Sequence, residues 1–237
     1  MTTFQAIIDK FPHWQSPDGD VLLVHGDALA VLPLIEAGSV DACIDPPYGL
    51  GEVLGKQTLS NKSRWRRHFS SGAPEWDATT CDAAVALTVN VASLAIVWGG
   101  QFYELPPNRG WLIWNKIIRN FSSGECELAW TNIAQPNRAF DYSHGQLASE
   151  GKHFHPTQKP LPLIEWCLSF IPNERPILDS FMGSATCAVA CIRTGRKFLG
   201  VEIDADYFQV AVDRVKRELD RQPLFKEKPL RQRELIE

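Results

Sequence analysis

Short β-branched apolar runs alternate along the chain with segments of helical period, the pattern of an α/β protein. Val21-Leu22-Leu23-Val24 is the first such run and stops at His25-Gly26-Asp27. A short helical segment follows from Ala28 and is broken by Pro33, which lacks a backbone donor. Gly38-Ser39 then turn the chain into Val40-Asp41-Ala42-Cys43-Ile44, a buried strand. Strands are also predicted at Ala95–Trp98, Trp111–Trp114, Leu128–Trp130, Ile177–Asp179 and Lys197–Ile203.

Helices are predicted between these runs. One covers about Asp82 to Ala92, with Thr79 and Thr80 as cap candidates. Another opens through Pro160 and Pro162, which fit only a first turn, and carries Leu163, Ile164, Cys167, Leu168 and Ile171 on one face. A helix of small residues spans Ala185 to Ile192 and ends near Gly195. Phe208, Ala211, Val212, Val215 and Leu219 line one face of the last helix. Residues 1–19 read as a loose lead-in, and the chain past Pro223 as a charged, frayed tail.

Two stretches break the alternation. Residues 50–76 are poor in apolar positions and hold no acid between Glu52 and Glu75. They carry Lys56, Lys62, Arg64, Arg66 and Arg67, interleaved with Trp65, His68 and Phe69. A connection of that length is usually functional or disordered. Residues 135–152 form a second polar loop region over the same face. The expected organisation is a single domain over 1–237 that carries these two loop regions.

Composition narrows the picture. The 237 residues are 44% hydrophobic and 22% charged, ordinary for a globular protein with a full core. A net charge of -4 excludes a polycation, so contact with nucleic acid must come from a local basic patch such as 56–69. The cysteines at 43, 81, 126, 167, 187 and 191 form no C-x-x-C pair and sit mostly in apolar runs. They read as small buried hydrophobes in a reducing compartment rather than a disulfide framework or a metal site. Neither a signal peptide nor a membrane span is legible, and the reading is cytoplasmic.

Asp45-Pro46-Pro47-Tyr48 is the focus of the chemistry. The prolines end the strand at Ile44 and leave a carboxylate, free carbonyls and an aromatic ring at a strand's carboxyl end, where open α/β sheets bind ligands. That set suits a planar base held by its amino group. A second focus is Asp179-Ser180-Phe181-Met182-Gly183-Ser184-Ala185-Thr186, a strand end and glycine turn leading into a helix. Glu202 follows about twenty residues later, where a carboxylate can take both hydroxyls of a ribose. There is one glycine where a dinucleotide fingerprint needs three, and Asp179 would repel a phosphate. An acid there suits a cofactor with a positive centre and an amino group.

D-P-P-Y, H-P-T-Q-K-P, D-S-F-M-G-S-A-T and G-V-E-I-D, in that order, resemble the β-group amino-methyltransferases of DNA, adenine-N6 type. The resemblance covers roughly residues 20–48 and 153–220. It implies a Rossmann-like methyltransferase sheet of seven strands, mostly parallel with one antiparallel strand, helices on both faces and a circularly permuted motif order. It implies S-adenosylmethionine as cofactor and transfer of its methyl group to the exocyclic N6 amine of a flipped-out adenine in DNA. Asp45, Pro46, Pro47 and Tyr48 are then the catalytic residues. Asp179, Phe181, Gly183, Ser184 and Thr186 resemble the loop around the methionine part of the cofactor. Glu202 resembles the ribose ligand and Asp27 the group that meets the adenine ring. Thr157, Gln158 and Lys159 resemble the segment that closes on the cofactor's carboxylate. His155, in the same motif, reads as a structural histidine. Ala185 stands where the family usually has glycine, and Ser180 where it commonly has proline. Lys62, Arg64, Trp65, Arg66 and Arg67 are the candidate DNA contacts. The partners implied are DNA and no membrane, with a homodimer and a cognate restriction endonuclease as further candidates. Cytosine-N4 methylation and a cofactor-binding, inactive partner subunit are the alternatives; Asp at position 45 favours adenine, and the intact Asp45–Tyr48 pair favours an enzyme.

Overall fold

The computed structural model describes residues 4–48, 81–119, 124–143 and 159–221. In chain order the elements are α1 (Gln5–Ile8), β1 (His13–Gln15), β2 (Val21–His25), α2 (Ala28–Val31), β3 (Val40–Ile44), α3 (Asp82–Val91), β4 (Ala92–Trp98), β5 (Leu112–Asn115) and β6 (Cys126–Thr131). Then come β7 (Arg138–Asp141), α4 (Leu161–Leu168), β8 (Ile177–Asp179), α5 (Thr186–Arg193), β9 (Phe198–Glu202) and α6 (Ala205–Arg221). The strands form one mixed sheet in the order β1-β2-β9-β8-β3-β4-β6-β5-β7.

Five neighbours, β2, β9, β8, β3 and β4, run parallel, as expected from β-branched runs linked through helices. β6 runs against both β4 and β5, and is the expected reversed strand. Nine strands among the described residues, rather than seven, reflect additions at the two edges. β1 lies in the presumed lead-in and pairs antiparallel with β2. Its turn is closed by the Ser16 N–H on the Val21 carbonyl at 2.9 Å and the Val21 N–H on the Ser16 hydroxyl at 3.0 Å. β7 lies within the presumed 135–152 loop and pairs with β5. Both are three- or four-residue edge strands without a fully buried position, so no apolar run marks them. α1 likewise corrects the loose lead-in, anchored by the fully buried Ile7.

Alternation along the strands splits the core in two. Leu23, Cys43, Ile96 and Trp98 join the buried faces of α4, α5 and α6. Leu22, Val24, Ala42, Ile44, Ala95 and Val97 join α1, α2 and α3 on the other side. Helices thus cover both faces. Pro33 ends α2 in a 3₁₀ turn, and Pro160 and Pro162 open α4 as their missing donors dictate. α3 starts after Cys81 with no side-chain cap; Thr79 and Thr80 lie outside the described residues, as do His155 and the tail past Arg221. All six cysteines are free, and Cys43, Cys167, Cys187 and Cys191 are buried. No helix among the described residues is long and apolar enough to cross a membrane.

Two non-glycine residues hold a left-handed backbone, Ala185 (φ 62°) and Ile117 (φ 52°). Ala185 begins the turn into α5 and explains why a glycine is usual there. Ile117 is the more costly, being β-branched, and it is 56% exposed just past β5. Ile117→Gly should therefore raise stability by about 1 kcal/mol, since relief of the backbone outweighs the entropy glycine adds to the unfolded chain. Urea unfolding of the two proteins checks this.

Candidate active site

Because β2, β9, β8, β3 and β4 are parallel, their carboxyl ends share one rim. Asp27, Glu202, Asp179, Asp45 and Gly99-Gly100 lie along it in that order. β6 is reversed, so its beginning, with Glu127, meets the same rim, beside Lys116 just past the end of β5.

Tyr48 is seated by β4. Its ring stacks on Phe102 with centroids 5.2 Å apart and lies against Gly99. A Cβ at Gly99 would sit 2.1 Å from Tyr48 Cε1, and the left-handed backbone there (φ +66°) independently favours glycine. The Tyr48 hydroxyl donates to Asp45 Oδ1 at 2.7 Å. The Tyr103 hydroxyl donates to the Pro47 carbonyl and ties the motif to the segment after β4.

Lys159 closes the cluster. Its Nζ donates to Asp45 Oδ1 at 2.8 Å, to Asp45 Oδ2 at 2.7 Å and to the Tyr48 hydroxyl at 3.1 Å. It also pairs with Glu127 Oε2 at 3.1 Å, while Glu127 Oε1 pairs with Lys116 Nζ at 2.8 Å. Lys159 and Lys116 are 6% and 3% exposed, so both ammonium groups depend on these partners. Burial alone would lower Lys159, but Asp45 and Glu127 outweigh it and hold the ammonium well above its usual range. Burial alone would raise Glu127, but Lys159 and Lys116 hold its carboxyl down at about 2. The Tyr48 phenol is pushed up by burial and then by Asp45.

In the other half of the rim, the acids have no such cation among the described residues. Asp179 is 6% exposed, accepts the Phe181 N–H at 3.1 Å, and is pushed by burial from its ordinary 3.8 to about 8. Glu202 accepts the N–H groups of Gly183 and Asp204, each at 2.8 Å, and is raised by burial. Gly183 is left-handed (φ +51°), and a Cβ there would meet nothing nearer than the Phe181 carbonyl at 4.0 Å. Asp27 is exposed and caps α2 through the Leu29 N–H at 2.8 Å.

Residues 111–213 match the N6/N4 methyltransferase family, described as DNA methylases. The type II methyltransferase M2.DpnII of Streptococcus pneumoniae is 40% identical, over 84% of this chain and 90% of that protein. The DNA adenine methyltransferase YhdJ of Escherichia coli K12 is 33% identical, over 81% of this chain and 82% of that protein. The chain belongs to the N6/N4 DNA methylase family. The crystal structure of the M1.HpyAVI–SAM complex shares its fold, with a TM-score of 0.54 at 21% identity, covering 82% of this chain and 99% of that one.

In this methylase the structure brings Asp45, Pro46, Pro47 and Tyr48 together with Lys159, and Asp179, Phe181 and Gly183 together with Glu202. It sets Lys159 on Asp45, whereas the sequence placed it with the cofactor's carboxylate. Ser184 and Thr186 are held by Arg214 of α6, whose Nη1 donates to the Ser184 carbonyl and the Thr186 hydroxyl at 2.9 Å and to the Ser184 hydroxyl at 3.2 Å. These bonds tie the glycine loop to α6. Thr157, Gln158, Lys62, Arg64, Trp65, Arg66 and Arg67 lie outside the described residues. Sequence reading missed Lys116, Glu127, Gly99, Phe102 and Tyr103. The one signal for Glu127 was an acid at the mouth of an apolar strand.

Gly99→Ala should displace the Tyr48 ring and lower methyl transfer by about tenfold or more while the sheet still folds. Turnover measured beside far-UV circular dichroism checks this. Asp179 gives a pH prediction. Its folded pKa, about 8, lies above the ordinary 3.8, so the folded protein holds an extra proton between the two. Stability therefore falls as pH rises from about 4 to 8, by at most about 1.4 kcal/mol per unit, and Asp179→Asn should flatten that slope. Denaturant unfolding across the range reads it.

Proposed function

We propose that this DNA methylase transfers a methyl group from S-adenosylmethionine to the N6 amine of an adenine rotated out of the duplex. The observation that carries the reading is the Asp45 carboxylate locked to Tyr48 at 2.7 Å, on the rim it shares with the acids of β8 and β9. The 33% identity to a DNA adenine methyltransferase supports adenine as the base. The motif order, Asp45 ahead of the Gly183 loop, supports placing the chain in the permuted β-group.

The rim fits the cofactor by the chemistry of its donors. Asp179 and Glu202 suit an amino group and a ribose, and the space beside Gly183 lets a ligand approach the backbone. Asp179, Phe181, Gly183, Glu202 and Asp27 would hold it, with Ser184 and Thr186 supporting the loop and Thr157 and Gln158 closing over it. When bound, S-adenosylmethionine supplies the electrophilic methyl group.

The chain's own residues prepare the amine, a poor nucleophile whose lone pair is delocalised into the ring. Asp45 accepts one amino hydrogen. The second amino hydrogen goes to the Pro46 carbonyl, while Tyr103 donates to the carbonyl of Pro47 next to it. Together these draw the nitrogen toward a tetrahedral geometry. Tyr48 and Phe102 supply aromatic surface for the extruded base, and such stacking contributes roughly 1–3 kcal/mol. Asp45 then takes the proton from a nitrogen made cationic by transfer, so no strong base is required. Lys62, Arg64, Trp65, Arg66 and Arg67 contact DNA phosphates and sugars in this reading. The similarity to type II methyltransferases supports a restriction-modification setting; a cognate endonuclease and a homodimer are the further partners in this reading.

The test is product identity and one substitution. Mass spectrometry of digested DNA should find N6-methyladenine, and Asp45→Ala should cut turnover by about 10³-fold or more with cofactor affinity kept. N4-methylcytosine would replace the base but keep the mechanism; full activity in Asp45→Ala would overturn the mechanism.

A further inference from the structure

We infer that Lys159 and Glu127 are positioning residues: the Lys159 ammonium stands in for the target amine on Asp45, and Glu127, steadied by Lys116, keeps that ammonium when the amine arrives. The inference rests on the reading above, in which Asp45 accepts a hydrogen from the target amine. Lys159 Nζ already donates to both Asp45 oxygens and to the Tyr48 hydroxyl. A base amine needs the same carboxylate, so the ammonium has to yield at least one of those bonds.

It cannot yield them to water. Lys159 is 6% exposed, with the rings of Tyr48 and Trp98 each centred 5.5 Å from Nζ. Its second carboxylate partner is Glu127 at 3.1 Å. An ammonium has three hydrogens and is free to redistribute them between two acceptors without leaving its cavity. Glu127 is itself fixed by Lys116 at 2.8 Å, on the neighbouring strand's end, so it does not follow the ammonium toward Asp45. The four groups carry two positive and two negative charges, and a neutral amine arriving at Asp45 leaves that balance unchanged. Before the base arrives, the same arrangement keeps Asp45, itself 27% exposed, paired and correctly turned.

Four proteins test this: wild type, Glu127→Gln, Glu127→Asp and the double variant K116M/E127Q. Each is measured for kcat and KM on target DNA, for S-adenosylmethionine affinity by calorimetry and for Tm. Glu127→Gln should lower kcat by about 10- to 100-fold with cofactor affinity unchanged, because Lys159 is left with Asp45 alone among the described carboxylates. Glu127→Asp should recover much of the loss. The double variant removes one cation with one anion, so its Tm should return toward wild type while kcat stays low. A purely structural salt bridge behaves differently: in the double variant kcat would recover together with Tm, and that result overturns the inference. So would a folded Glu127→Gln protein within about twofold of wild-type kcat. Wild-type protein that makes N4-methylcytosine overturns the adenine assignment alone and leaves the Glu127 comparison standing. Wild-type protein that methylates no DNA overturns both.

Discussion

A buried ammonium must have a carboxylate within reach at all times, and that constraint at Lys159 ties together the separate parts of this site. Removing one partner of such a pair commonly costs about 3–5 kcal/mol, because the other charge is left stranded. Asp45 comes from the end of β3, Glu127 from the start of β6, Lys116 from the turn after β5, and Lys159 from the approach to α4. The reversed strand is what makes the meeting feasible. Where its neighbours β4 and β5 present their ends, β6 presents its beginning, and it delivers an acid to the rim beside Asp45.

The rim is therefore divided electrostatically. Around Asp45 each carboxylate has an ammonium, and the Glu127 carboxyl is held low. Around Asp179 the acids are served by backbone N–H groups, and burial drives both Asp179 and Glu202 upward. Among the described residues the first half is balanced in charge, while the acids of the second are met by backbone N–H groups alone, the difference on which the proposed split between base and cofactor rests.

Much of this was legible in the sequence for a simple reason: buried parallel strands announce themselves as β-branched runs, and their ends are where functional residues fall. Asp45, Asp179 and Glu202 were placed that way, and each lies at or just past a strand end. What escaped was whatever apolar pattern does not encode. β1 and β7 bury too little to leave a run. The Lys159–Asp45 contact joins positions 114 residues apart, and nothing local to either announces the other. Gly99 simply follows the predicted strand Ala95–Trp98, and only the fold reveals the ring lying over it. Ser184 and Thr186 were carried over with the loop they resemble, and the bond Arg214 makes to Thr186 from α6, 28 residues on, is not announced by anything local to that loop.

Under the proposed function, the contact between Tyr48 and Gly99 also limits how the base pocket can change over evolutionary time. Residue 99 is barred from carrying a side chain twice over, by its left-handed backbone and by the tyrosine ring in the space a Cβ would take. Mutational drift can enlarge this seat, since residue 48 can shrink without disturbing its neighbour. It cannot make the seat smaller from the β4 side while the tyrosine remains. Specificity for the base is in this sense a ratchet, with broader acceptance one substitution away and narrower acceptance requiring two coordinated ones.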